Sequence, residues 1–396
     1  MPGLDLIKAA AERLSGVISP TPLVFSSSFS KTLGFDCHLK LENLQKTGSF
    51  KVRGAYNRIA SLEPAQKAAG VITASSGNHA QGVAWAATLL GISSTVVMPE
   101  TTPIMKYMAA KGYGGRVIFH GRSFGEACER AIQLASETGA VFIPPFEDEL
   151  VMAGQGTIGL EIIAALPEVD TVVVPIGGGG LISGIASAIK ALSPRVNVIG
   201  VEAEACASCT ASLKAGHPVA VAGLPTIADG IAVKKVGTQT LEIIKRLVAD
   251  VCSVGEEAIA AAMLRLIERK KLVVEGAGAV ALAAAFAGRL PVKPKKAVFV
   301  ISGGNVDVTM LDRVIRLGLM KEGRVMKAMA VIADVPGSLA RFTALIASLK
   351  ANIVEVTHER EAVDVPVGTT RITVVLEVES FEHADRVRAR LKEAGY

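Results

Sequence analysis

From about residue 37 to 318, short β-rich runs alternate with Ala-rich helical stretches, and that alternation leaves the chain few architectures. The runs are Cys37–Leu41, Val71–Ala74, Ser94–Met98, Arg116–Phe119, Thr171–Pro175, Asn197–Val201 and Lys296–Ile301. Each is read as apolar on both faces, as a strand is when helices cover both sides of a parallel sheet. Pro103 opens one intervening helix, and Gly91 and Gly112 close two others. The expectation is a doubly wound α/β fold with ligands at the carboxyl ends of its strands. The number of strands suits two α/β lobes facing a cleft better than a single sheet.

The pattern changes near residue 320. A polar bridge, Lys321–Lys327, leads into a strand at Val325–Ala333, a helix at Gly337–Leu349, strands at Asn352–His358 and Thr369–Val378, and a helix at Phe381–Ala394. This β-α-β-β-α order is ferredoxin-like without its last strand. It predicts a main domain over 1–320 and a small α+β domain over 327–396.

Composition narrows the function classes. With 396 residues, 50% of them apolar and 20% charged, the chain has ample material for a large buried core. The net charge of +5 comes without a run of Lys or Arg or an aromatic cluster, which argues against nucleic acid as a partner. Asp5, Lys8, Glu12 and Arg13 interrupt any signal-peptide core, and no stretch reaches the ~18 apolar residues of a membrane helix. A cytoplasmic protein is expected. The five cysteines are odd in number and scattered; Cys206 and Cys209 form a C-x-x-C without two further ligands nearby, so they read as reduced thiols on a helix.

Four small-residue loops carry the chemistry. In Thr47-Gly48-Ser49-Phe50-Lys51, Lys51 falls in the first turn of a helix, where the dipole and apolar Phe50 both favour a neutral amine suited to Schiff-base formation. Taken alone, the segment reads more readily as a surface lysine on an amphipathic helix. Ser75-Ser76-Gly77-Asn78-His79 follows a strand and gathers amides and hydroxyls at a helix start, which makes a carboxylate or phosphate site, though Ser and Asn also cap ordinary helices. Gly177-Gly178-Gly179-Gly180-Leu181 follows Thr171–Pro175 and lacks the Lys of a P-loop and the G-x-G-x-x-G of a dinucleotide fold. It reads as a phosphate cup without a nucleotide. Ser302-Gly303-Gly304-Asn305 places Ser302 where the strand Ala297–Ile301 meets the cleft.

These segments, with Lys40-Leu41-Glu42-Asn43-Leu44-Gln45, Gly154-Gln155-Gly156-Thr157-Ile158 and Gly200-Val201-Glu202, resemble the fold-type II (tryptophan-synthase-β-like) pyridoxal-phosphate enzymes. Within them they resemble the threonine/serine dehydratase group. The resemblance implies that Lys51 holds pyridoxal 5'-phosphate and moves the Cα proton, with Ser76 on the opposite cofactor face. It implies Phe50 against the cofactor ring, Asn78 on its 3'-oxygen, Gly177, Gly178, Gly179, Gly180 and Leu181 around its phosphate, Ser302 at the pyridine nitrogen, and Glu275 nearby. Ser75, Ser76, Gly77, Asn78 and His79 would receive the substrate carboxylate. An uncharged Ser302 would leave less charge in the ring than a carboxylate would, favouring prompt loss of a β-substituent. The implied reaction is elimination of water and ammonia from threonine or serine, with the cofactor phosphate supplying the proton.

Alternatives of the same fold are a serine racemase or a hydroxyaspartate dehydratase; a non-catalytic amino-acid-binding protein would leave Lys51 and the glycine cup unexplained. Related serine racemases bind a divalent cation with a glutamate and an aspartate six residues later. Here those positions are Glu202 and Ser208, so no metal is expected. The last 70 residues resemble an ACT amino-acid-sensing domain, carried by Asp334-Val335-Pro336-Gly337-Ser338-Leu339 and Ala351-Asn352-Ile353. That resemblance implies an effector site at Asp334, Gly337, Ser338, Leu339, Asn352 and Ile353 for a branched-chain amino acid, in a homo-oligomer.

Overall fold

The computed structural model describes residues 1–360 and 364–396. By contact density the chain divides into two compact units, Met1–Asp307 and Val308–Tyr396. The helix Val308–Lys321 therefore groups with the smaller unit, although the change in composition falls only at its end.

The larger unit holds two sheets built from ten strands: β1 (Leu23–Phe25), β2 (Asp36–Leu41), β3 (Val71–Ala74), β4 (Ser94–Met98), β5 (Arg116–Phe119), β6 (Val141–Phe142), β7 (Thr171–Pro175), β8 (Asn197–Ala203), β9 (Asp250–Val254) and β10 (Lys296–Ile301). One sheet has the order β5-β4-β3-β6 and is parallel throughout. The other has the order β1-β2-β10-β7-β8-β9; β1 is antiparallel to β2, and the rest are parallel. The four-stranded lobe is thus inserted between β2 and β7 of the larger sheet. β10, the last strand of this unit, lies between them at the sheet centre, so the loops after β2, β7 and β10 leave adjacent strand ends.

Burial explains the runs that read as strands. β7 is buried at every residue, and β10 at all but its first. Branched apolar side chains on both faces pack against helices such as Gly180–Leu192 and Gly276–Phe286, whose own residues are almost all buried. Small residues set the helix spacing: a Cβ on Gly154 would stand 2.6 Å from the Arg53 carbonyl oxygen, and one on Gly184 2.2 Å from the Met152 carbonyl oxygen.

Beneath this packing sits a charged cluster. The Arg53 guanidinium donates through Nε and Nη2 to both oxygens of Glu42, at 2.8 and 2.9 Å, and reaches Thr157 and Glu161. Lys40 pairs with Glu161, and Thr21 donates to Glu42. Two cations facing two carboxylates make burial of Arg53, Glu42 and Lys40 tolerable, and the fork geometry ties the Lys51–Ala60 helix to β2 and to the Glu149–Ala165 helix.

The smaller unit carries β11 (Val325–Ala333), β12 (Asn352–Glu359) and β13 (Thr369–Glu377) in the antiparallel order β11-β13-β12. Alternate residues of β13 are buried, and Ile372, Val374 and Leu376 pack with Phe342, Ile346 and Val387 of the helices Ser338–Ser348 and Phe381–Glu393.

Candidate active site

Lys51 opens its helix behind a contorted turn. Thr47 and Gly48 both adopt left-handed backbone, at φ 59° and 73°. For Thr47 that conformation is costly, and it is held from outside: its carbonyl accepts from Asn305 Nδ2 at 2.6 Å. A Cβ on Gly48 would lie 2.3 Å from Asn305 Oδ1, so only glycine fits there. Ser49 bridges Gly303, and the Phe50 amide donates to the Ser302 carbonyl at 3.1 Å, which fastens the lysine turn to the end of β10.

The Lys51 amine lies 5.2 Å from the Phe50 ring centroid and donates to the Pro145 carbonyl at 2.9 Å. Burial pushes its pKa down from 10.5 to about 8, against an upward pull from Glu275. Burial also pushes the Glu275 carboxyl up from 4.5 to about 8, helped by the nearby Asp229 charge. A lysine with its pKa lowered towards the working pH gives up its proton more readily than an ordinary surface lysine, which suits a nucleophile and base.

Asn78 begins its helix and is fixed at both ends of its amide. It donates to Glu275 Oε1 at 2.8 Å, and its oxygen accepts from Asn305 Nδ2 at 2.8 Å. Its second N–H remains for a ligand. The Ser302 hydroxyl is buried and lies 3.5 Å from the Ala277 carbonyl, the outer limit of a hydrogen bond, so it can turn to another acceptor. Among the described residues, the buried hydroxyls of Thr47 and Ser49 have no partner.

The glycine loop follows β7 and leads into the Gly180–Leu192 helix, whose first amides have no intrahelical acceptor. Gly179 is left-handed, at φ 93°. A Cβ on Gly178 would stand 2.3 Å from the Phe146 ring, and one on Gly177 3.0 Å from Ile231 Cα. Thr240 Oγ donates to the Gly178 carbonyl at 2.7 Å, which fixes the loop, and amides at a helix start suit an anion. Leu181 is buried at the start of that helix.

Residues 14–303 match the family model described as pyridoxal-phosphate dependent enzyme. The chain belongs to the pyridoxal-phosphate-dependent enzymes. It is similar to the L-threonine ammonia-lyase of Thermotoga maritima, 49% identical over 393 residues, covering 99% of this chain and 98% of that protein. Among solved structures it resembles maize serine racemase, with TM-score 0.76 and 37% identity over 81% of this chain and 98% of that one. It also resembles threonine deaminase isoform 2 from Solanum lycopersicum, with TM-score 0.75 and 39% identity over 80% and 87%.

The residues fit the family cofactor. A lysine with a lowered pKa, backbone amides at a helix start and hydroxyls lacking partners are what an aldehyde with an attached phosphate requires. Sequence patterns had not marked Pro145, Phe146 or Thr240; the first two follow β6, which is too short to show as a strand.

Some expected roles are redistributed. Ser75 Oγ accepts from the Gly77 amide at 3.2 Å and Ser76 is half-buried on the same loop, but the His79 side chain is buried away from it. The His79 ring is 2% exposed and meets the Ile143 carbonyl at 3.0 Å. Glu202 accepts from the amides of Cys209 and Thr210 at 2.7 and 2.8 Å, so its carboxylate caps the Ser208–Ala215 helix. Cys206 and Cys209 are free thiols, and burial pushes Cys209 up to about 12.

The six expected effector residues are not brought together within one chain. Asp334, Gly337 and Ser338 follow β11, whose last residue Ala333 pairs with Thr369 at the start of β13. Asn352 pairs with Glu377 at the other end of β13, roughly 25 Å away at ~3.3 Å per residue. Strand direction separates the two halves, which the linear spacing does not reveal.

Proposed function

We propose that this enzyme is a threonine ammonia-lyase that converts L-threonine to 2-oxobutanoate and ammonia, with L-serine as a second substrate. The observation that carries the reading is a full-length likeness to an L-threonine ammonia-lyase, spanning both compact units, combined with an uncharged Ser302 at the end of β10. Bound pyridoxal phosphate supplies an electron sink for the pair left at Cα when its proton departs. Lys51 takes that proton at Nζ; the Pro145 carbonyl holds the amine in place, and burial lowers its pKa. The amides of Gly177–Gly180 and Leu181 would hold the phosphate, and Ser302 would offer the ring nitrogen a hydroxyl without charge. The Ser75–Asn78 turn presents amides to the substrate carboxylate. Glu275 carries a proton at neutral pH and keeps Asn78 oriented. The β-hydroxyl leaves as water with a proton that the cofactor phosphate would supply, the proton taken up by Lys51 restoring the balance, and the released enamine hydrolyses to the 2-oxo acid and ammonium.

Ser76, together with the likeness to maize serine racemase, favours racemisation as a second reading. Equal concentrations of L-threonine and L-serine, with 2-oxo acids and D-serine both quantified, test the choice. 2-Oxobutanoate as main product supports the lyase; D-serine without 2-oxo acids supports the racemase. We infer further that the Val308–Tyr396 unit is an ACT-like sensor of a branched-chain amino acid in a cytoplasmic homo-oligomer; its β-α-β-β-α order and its 1-3-2 strand order support this.

A further inference from the structure

Residues 143–148 join β6 to the Glu149–Ala165 helix and touch several parts of the site at once. The Ile143 amide donates to the Ile72 carbonyl at 2.8 Å, and its own carbonyl accepts from two buried side chains, Thr73 Oγ at 2.8 Å and His79 Nε2 at 3.0 Å. Pro144 and Pro145 follow, each with φ fixed by its ring. The Pro145 carbonyl receives the Lys51 amine, and Phe146 lies against Gly178 and Gly180 so closely that neither tolerates a Cβ. At the far end, Asp148 caps the next helix through the Val151 amide and pairs with Arg58 at 2.9 Å. The strap is short, stiff and pinned at both ends.

His79 is the link between this strap and the substrate loop, because it directly follows Asn78 in the same helical turn. Meeting a carbonyl requires a hydrogen on Nε2, so the neutral ring leaves Nδ1 bare. That nitrogen is buried without a partner among the described residues. Leaving a buried nitrogen unpartnered is destabilising, because it loses water without gaining a replacement. Phenylalanine would fill similar space without that cost, so packing alone does not account for an imidazole here. The ring stays uncharged: burial, with the Lys51 charge adding to it, pushes its pKa down to about 3.

We propose that His79 is a positioning residue for Lys51, acting through the Ile143 carbonyl to set the strap that holds the lysine amine and backs the glycine loop. One buried ring thereby keeps three elements in register: the turn bearing Asn78, the lysine and the phosphate cup. The inference rests on Lys51 being the cofactor lysine. It gives His79 a role distinct from contact with the substrate carboxylate.

The test compares wild-type protein with His79→Leu and His79→Gln. Each is stripped of pyridoxal phosphate and reconstituted with it, and growth of the visible lysine–cofactor absorbance is followed beside the melting temperature. Misplacing the amine by about 1 Å is expected to slow band formation in His79→Leu by about 10- to 100-fold. His79→Gln retains an N–H able to reach Ile143 and should recover most of that rate. A His79→Leu protein that melts earlier but forms the band at the wild-type rate overturns the proposal, since it would make His79 a packing residue. If His79→Leu does not fold, Thr73→Val removes the other donor to the same carbonyl and should slow the band in the same direction; a wild-type rate there also overturns it. Absence of the band in wild-type protein would instead refute the assignment of Lys51 on which the proposal rests.

Discussion

Replacing Glu275 by Gln tests the electrostatics of the site without touching Lys51. In the folded protein the carboxyl titrates at about 8, against 4.5 in the absence of burial and the Asp229 charge. Between those values the native state holds a proton that the unfolded chain has released. Stability therefore falls as pH rises through this window, and the cost is fully present above about 8. At ~1.4 kcal/mol per pH unit, the full cost is roughly 5 kcal/mol. Glutamine keeps an oxygen for the Asn78 amide but cannot ionise, so it escapes the cost. Lys51 works in the neighbouring window: its depressed pKa gives a constant penalty below about 8 that eases only towards 10.5, so measurements at or below pH 8 isolate the glutamate. Urea unfolding of the cofactor-free proteins should show nearly equal stability near pH 5. The gap should widen to several kcal/mol in favour of Glu275→Gln at pH 8. A gap that stays constant across that range would refute the reasoning.

Three further outcomes are expected. Gly178→Ala drives a methyl into the Phe146 ring, and overpacking of about 1–3 kcal/mol should weaken pyridoxal phosphate binding by about 5- to 150-fold when the visible band is titrated with cofactor. Ser302→Asp should hold the ring nitrogen protonated, lowering 2-oxobutanoate formation and raising exchange of the substrate Cα hydrogen, read as deuterium uptake by mass spectrometry in D2O. Isoleucine or valine should alter threonine turnover of the full chain through a coupling of about 1–3 kcal/mol, a 5- to 150-fold change in apparent affinity; kinetics unaffected by either would assign the smaller unit to assembly.

How legible these features were depended on burial. β3, β4, β5, β7 and β10 match the runs read from the sequence residue for residue, four of them because apolar side chains crowd a largely buried strand. β1 and β9 are partly exposed sheet edges; β1 has only three residues and β6 two, too few to stand out although they are apolar, and β9 interrupts its apolar residues with Asp250 and Ser253. Lys51, the Gly177–Gly180 run and Ser302 stood out as candidates because the segments that follow buried strands are compositionally odd. The Pro145 carbonyl was not, because a backbone acceptor has no sequence signature. His79 shows a different limit: it sits inside a recognisable motif, yet the helical turn points its ring away from the loop that its neighbours form.

The assignment of Lys51 is tested most directly by trapping. Borohydride reduction of the protein carrying pyridoxal phosphate, followed by proteolysis and mass spectrometry, should place the phosphopyridoxyl mass on the peptide containing Lys51 and abolish conversion of L-threonine. The Lys51→Ala protein should show neither the visible band nor the label. A label on a different lysine, or threonine conversion retained by Lys51→Ala, would contradict the account.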